Sequence, residues 1–303
     1  MLRDDSPGRL WFSVAVFSAF VMSASFATVT EPGARLQKLA GGFEFTEGPT
    51  CDSEGSVYFT DQPNDTIHKW GVDGRLTTFL SPSGRSNGLC FDADGNLWAC
   101  ADGNNELWKI SPDGEVTVVL KDAAGRRMNG PNDLWFRPDG GLYFTDPYYA
   151  RDYWNRADIP PIPRCVYFLP KGGDRAVLVE DGLVEPNGII GTPDGKWLYV
   201  SDIKPGKTYR YRIQEDGALA DRELFCEKGS DGMTIDSEGN VYLTNSDGVT
   251  VFNPEGKQIE NIPVPERWTG NVCFGGADRR TLFVTAGKGL YAIRMRVSGV
   301  GSQ

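Results

Sequence analysis

The sequence predicts an all-β fold, a six-bladed β-propeller whose last blade is closed by an N-terminal strand, and three observations predict it. One strand–turn–strand pattern recurs six times, its aromatic marker returns every 40 to 56 residues, and no helical apolar periodicity of useful length follows residue 30. A period of about 40 to 50 residues with four strands per unit is the signature of propeller blades.

The copies read EGPTCDSEGSVYFTD from Glu47, NGLCFDADGNLWACAD from Asn87, NDLWFRPDGGLYFTD from Asn132, NGIIGTPDGKWLYVSD from Asn187, DGMTIDSEGNVYLTN from Asp231 and NVCFGGADRRTLFVTA from Asn271. Five turns end in glycine, which supplies the positive φ a tight hairpin requires. The sixth copy has Ala277-Asp278-Arg279-Arg280 there and is degenerate. The second strands carry Tyr58, Trp98, Tyr143, Tyr199, Tyr242 and Phe283. Outer hairpins such as IHKWGVDGRLTTFL, ELWKISPDGEVTVVL and VTVFNPEGKQIENI bring each repeat to four strands. The sixth repeat ends at GLYAIRMRV with three, so the segment from Ala34 to Ala40 is expected to complete it and close the ring, removing the open edges. With 37 glycines and 19 prolines the chain is turn-rich, and residues 28–303 read as one propeller domain.

Residues 1–27 differ. Arg3 and Arg9 precede an apolar stretch from Leu10 to Met22, and Ser25-Phe26-Ala27 offers small residues for cleavage, so the segment reads as a signal peptide of an exported, periplasmic or secreted, protein. An uncleaved N-terminal membrane anchor is the alternative, although the run is shorter than the roughly 20 residues a bilayer needs. The net charge of −10 argues against nucleic acid or anionic membrane partners for the mature form. Cys51, Cys90, Cys100, Cys165, Cys226 and Cys273 show no metal-like spacing, and several sit in apolar strands, so no disulfide is expected. Simple hairpin pairing sets Phe91 opposite Asn96, Cys90 opposite Leu97 and Asn87 opposite Cys100, with Cys90 and Cys100 on different faces.

The residue eight positions before each turn glycine is Glu47, Asn87, Asn132, Asn187 or Asp231, and Asn271 holds the same place in the sixth copy. Each bears a carboxylate or carboxamide at the start of a channel-lining strand. Six oxygen-bearing side chains converging on the axis match a hard divalent cation such as Ca²⁺, with Mg²⁺, Mn²⁺ or Zn²⁺ as alternatives. A single Asn-Gly or Asp-Gly would be read as a turn former; six in one register are not. The loops after Asp61, Asp102, Asp146, Asp202 and Asn245 surround the same face. The longest, from Pro147 to Arg164, is rich in aromatic residues and arginine and is a candidate cover.

These residues resemble the regucalcin and gluconolactonase family of six-bladed propellers, also similar in plan to diisopropyl-fluorophosphatase. The resemblance rests on Glu47-Gly48-Pro49, on Arg127-Met128-Asn129-Gly130-Pro131-Asn132-Asp133 leading into Tyr143-Phe144-Thr145-Asp146-Pro147, on Pro186-Asn187-Gly188 and on Ser230-Asp231-Gly232-Met233. It covers essentially all of the mature chain and is nearer to bacterial gluconolactonases. It implies a metal held by Glu47, Asn187 and Asp231, with Asn132 touching metal or substrate, and it assigns no role to Asn271.

The expected activity is opening of a small sugar lactone, with Asp231 as general base or, second, nucleophile. Asn87, Asn132 and Asn271 would orient the substrate. His68, the only histidine, is expected on the surface of the first blade, which excludes a Ser-His-Asp triad at the channel. The alternatives are an esterase or phosphotriesterase on the same site, and a non-catalytic binding propeller with a structural metal.

Overall fold

A computed structural model of the chain describes residue 1 and residues 28–154 and 163–300. The proposed leader and residues 155–162 of the long loop therefore lie outside the described residues. Six four-stranded antiparallel sheets follow one another in chain order. The first runs Thr46–Cys51, Val57–Asp61, Thr66–Trp70 and Leu76–Leu80 from the channel outward. The inner strands of the next four blades begin at Ser86, Leu134, Pro186 and Met233. The sixth blade consists of Thr269–Gly275, Thr281–Ala286 and Gly289–Arg294, with Gln37–Gly41 added antiparallel on its outer edge. The N-terminal strand thus closes the ring as expected, shifted slightly toward the C-terminal side of Ala34–Ala40.

Burial follows from position in the blade. Thr46–Cys51 and Val57–Asp61 are buried throughout, whereas Leu76–Leu80 at the rim is exposed or half-buried. An inner strand is covered on both faces by neighbouring blades, so its sequence need not alternate apolar and polar. Six apolar clusters fill the six blade interfaces. The recurring aromatic belongs to these interfaces. Tyr58 meets Phe91 edge to face at 5.1 Å, Trp98 meets Phe136 at 5.3 Å and Tyr242 meets Phe274 at 5.2 Å, each on the following blade. Tyr143 instead donates from its hydroxyl to Gly217 O at 2.8 Å. A propeller needs this contact once per blade, which is why the marker repeats.

The hairpin register differs from the simple pairing. Phe91 faces Leu97 and Cys90 faces Trp98, because the turn holds the five residues Asp92–Asn96. Asp92 Oδ1 accepts from Asp94 N at 3.0 Å and Asn96 N at 2.8 Å, which stabilises that wider loop. Consequently Cys90 and Cys100 share a face and pack in one cluster, contrary to the sequence expectation. All six cysteines are nonetheless free thiols. In the degenerate sixth turn Arg279 takes the left-handed conformation, φ 52°, that glycine occupies elsewhere. Its Nη2 donates to Asp52 O on blade 1 at 3.0 Å, a compensation for that backbone cost.

His68 is not a free surface group. It is half-buried, with ring centroids of Phe43 and Phe59 at 5.0 and 5.4 Å. Burial lowers its pKa below the ordinary 6.5, with Asp61 opposing.

Candidate active site at the channel mouth

The residues read in register from the sequence sit where the inner strands break their ladders. Pairing is interrupted between Glu47 and Thr50, between Ser86 and Leu89, and between Pro186 and Ile189. Such bulges leave a residue unpaired and re-aim its side chain. In blades 3 and 5 the residue precedes the strand, and Asn132 N and Asp231 N donate to Thr145 O and Thr244 O, each at 2.9 Å. Asn87 therefore has no partner at Cys100.

The glycines after these residues let the blades approach. A Cβ on Gly48 would lie 2.0 Å from Asn87 O, one on Gly188 2.7 Å from Asp231 O, and one on Gly232 1.9 Å from Asn271 Cγ. Each glycine admits the site residue of the next blade, which ties the ring together.

Five of the six expected side chains, Glu47, Asn87, Asn132, Asn187 and Asp231, line one cavity of about 470 Å³ at the channel mouth. That size suits a small molecule. Phe45, Tyr149, Arg151, Glu185, Ile203, Lys204 and Trp268 complete the wall. Asn271 lies deeper, on the cavity along the channel. Its Oδ1 accepts from Val272 N at 2.8 Å and its Nδ2 donates toward Asp133 Oδ2 at 3.5 Å. Its amide also favours the ionised form of Glu47, so it supports the ring from below.

Glu47 and Asp231 are both buried, and burial raises both carboxyls above the usual range. The neighbouring Asp231 raises Glu47 further. Trp268 Nε1 opposes this at Asp231, donating to Oδ2 at 2.5 Å, with Asn187 assisting. Asp133, also buried, is pushed up to about 7, first by burial. Asn187 Nδ2 donates to the Tyr149 hydroxyl at 2.8 Å, while its Oδ1 is buried without a hydrogen-bond partner.

An orphaned amide oxygen beside two buried carboxylates is an all-oxygen, electron-rich set that fits a hard divalent cation. No group of three or more His, Cys, Asp or Glu able to hold a metal occurs among the described residues, so such a site depends on the amides.

A family model described as the SMP-30/gluconolactonase/LRE-like region matches residues 45–288, the span from the first ring residue to the last blade. The protein belongs to this gluconolactonase family. A gluconolactonase of Zymomonas mobilis is 30% identical over 293 residues, covering 87% of this chain and 82% of its own. The diisopropyl-fluorophosphatase of Loligo vulgaris is 27% identical and covers 88% of this chain and 90% of its own. Among solved structures, a gluconolactonase of Xanthomonas campestris aligns with a TM-score of 0.82 at 29% identity, over 88% of this chain and 91% of that one. Gluconolactonase relatives thus span both the propeller and the mouth.

Sequence reading missed Tyr149, Arg151, Lys204 and Trp268 as individual wall residues. For the first two the signal was the aromatic and basic composition of the long loop. Trp268 stands three residues before Asn271 and belongs to no repeat position.

Proposed function

We propose that this protein is a lactonase that opens a small sugar lactone such as gluconolactone, with one divalent cation held by Glu47, Asn187 and Asp231 and with Asn132 beside them. Ca²⁺ is the best match to the donor set. The observation that carries this reading is the unpartnered Asn187 Oδ1 standing with two buried carboxylates in a cavity of substrate size. The gluconolactonase relatives support the substrate class.

When bound, the cation would polarise the lactone carbonyl and stabilise the charge that develops on its oxygen. Asp231 serves as general base. Trp268 holds its Oδ2, leaving Oδ1 to receive a proton from the attacking water. Water oxygen bonds to the carbonyl carbon, the ring carbon–oxygen bond breaks, and the proton taken by Asp231 passes to the departing ring oxygen. The product is the open hydroxy acid. Asn87 and Asn132 offer amide donors to sugar hydroxyls, and Glu47 serves as an anchor. Asn271 acts through Glu47 instead of touching substrate.

Hydrolysis of glucono-δ-lactone, followed by proton release with and without chelator, tests the reading. Activity should vanish on chelation and return with Ca²⁺. Turnover that survives complete metal removal, or that never exceeds the spontaneous rate across a panel of sugar lactones, overturns it. A second reading, a phosphotriesterase on the same site, is favoured by the relative from Loligo vulgaris and is tested by adding a phosphofluoridate to the panel.

Residues 1–27 are proposed to direct export and to be removed. In support, the residues that follow are tied into the propeller: Val29 N donates to Glu260 Oε2 at 2.8 Å, and Val29 is buried. N-terminal sequencing of the exported protein should begin at Thr28.

A further inference from the structure

We propose that a second cavity, adjoining the mouth and sharing Arg151 with it, binds an anionic substituent of the substrate, so that the preferred lactone carries a carboxylate, sulfonate or phosphate on the chain beyond its ring. This rests on the lactonase reading and adds a substrate class to it. The cavity measures about 800 Å³ and is lined by Gln62, Arg85, Arg151, Asp152 and Tyr153 among others.

The aspartates that end the second strands point to its construction. Asp61 accepts from Glu44 N and Phe45 N, Asp146 from Asn129 N and Gly130 N, and Asp202 from Val184 N and Glu185 N. Each of these three caps the backbone of the loop that leads into its own blade. Asp102, in the same position of blade 2, instead receives side chains on Oδ2: Tyr153 at 2.6 Å, Arg151 Nε at 3.0 Å and Gln62 at 3.3 Å. Trp154 Nε1 adds a bond to Asp102 O at 2.7 Å. The start of the third-blade loop is thereby fastened as a wall over blade 2, and Arg151 is held by Nε with its guanidinium over the Tyr149 ring at 5.6 Å, the two terminal nitrogens taking no part in the bond to Asp102. Among the described residues those nitrogens make no hydrogen bond. Arg151 and Asp231 line the same mouth cavity, which puts the guanidinium beside the reacting end.

Arg85 is the second arm. Its φ is 51°, a conformation that costs an ordinary residue energy and that glycine takes freely. The backbone is held there by Asp65, whose Oδ1 accepts from Arg85 N at 2.5 Å. The guanidinium stacks over the Tyr153 ring at 4.4 Å and donates from Nη1 to Pro63 O at 2.9 Å, with no carboxylate partner among the described residues. Two guanidinium forks therefore border one cavity, and a fork matches carboxylate, sulfonate or phosphate oxygens. The opposing charges do not cancel them equally. Asp102 already accepts three donors, and Asp152 is exposed at the rim, where water screens it. At the mouth, Glu185 pairs with Arg164 at 3.4 Å, and Lys204 adds a further positive charge.

The test compares the γ-lactones of gluconate and glucarate, which share a ring and differ in a terminal hydroxymethyl or carboxylate. Rates are measured on the Ca²⁺-loaded wild type, Arg85→Gln and Arg85→Lys. In parallel, gluconate and glucarate are titrated calorimetrically into the same proteins. The expected result is a kcat/KM for the glucarate lactone about tenfold above its neutral counterpart, the worth of one charge-assisted hydrogen bond. That ratio should collapse toward one in Arg85→Gln and be partly kept in Arg85→Lys. The calorimetric preference for glucarate should follow the same order. A wild type without preference, or an Arg85→Gln variant that loses both substrates equally, overturns the proposal while leaving the lactonase reading intact. If neither lactone is hydrolysed yet glucarate binds more tightly than gluconate and Arg85→Gln abolishes the difference, the anion site stands and the lactonase reading falls.

Discussion

Trp268→Phe isolates one bond at the proposed base. The substitution keeps an aromatic ring in the wall and removes the Nε1–H that donates to Asp231 Oδ2 at 2.5 Å. A hydrogen bond to a charged group is worth about 1.5–3 kcal/mol, and about 1.36 kcal/mol displaces a titration by one pH unit. The bond favours the ionised carboxylate, so its loss makes Asp231 easier to protonate. The acid limb of kcat/KM should therefore move up by about one to two pH units, with the plateau above it retained. Because Glu47 and Asp231 interact, the limb belongs to the pair and not to one residue. Proton-release assays from about pH 4 to 9 at fixed Ca²⁺, with thermal melts as the folding control, give the profile. A uniform loss at every pH with an unmoved limb would show that Trp268 only packs the wall and would remove Asp231 as the base.

Three further outcomes follow from the geometry. Gly232→Ala drives a methyl to 1.9 Å from Asn271 Cγ, so the variant should lose about 1–3 kcal/mol in denaturant melts and bind Ca²⁺ more weakly through the displaced Asn271–Glu47 contact. An unchanged midpoint would refute the tight central packing. Burial pushes the Cys51 and Cys226 thiols up to about 11, so a thiol-specific disulfide reagent near pH 8 should leave both untouched in the native state and titrate all six cysteines after denaturation; fewer than six would reveal a disulfide. His68 titrates below 6.5 in the native state, so its contribution to stability is complete above that value and is lost as pH falls through the lowered one. His68→Phe should flatten that part of the acid slope in Tm, and an unaltered slope would place its cause elsewhere.

Much of the fold was legible because a closed ring repeats its requirements. Each blade needs one turn, one interface aromatic and one residue at the channel mouth, so Tyr58, Trp98 and Tyr242 recur with the blades they join. The candidate site was legible for the same reason in Glu47, Asn87, Asn132, Asn187 and Asp231. It was not legible where a residue serves the ring only once. Trp268 and Arg151 have no counterparts at other blades. Asn271 shares the register yet sits below the mouth against Asp133.

By itself the sequence determined the propeller, its closure by the N-terminal strand and the five polar residues of the mouth, since these follow from period and register. Only the tertiary structure decided which amide oxygen is left unpartnered, which carboxylate is held by an indole, and which aspartate fastens a loop of the next blade. Those facts depend on bulges that shift pairing by a residue and on side chains meeting across blades. Local sequence does not encode either, because the partners are brought together only when the ring closes.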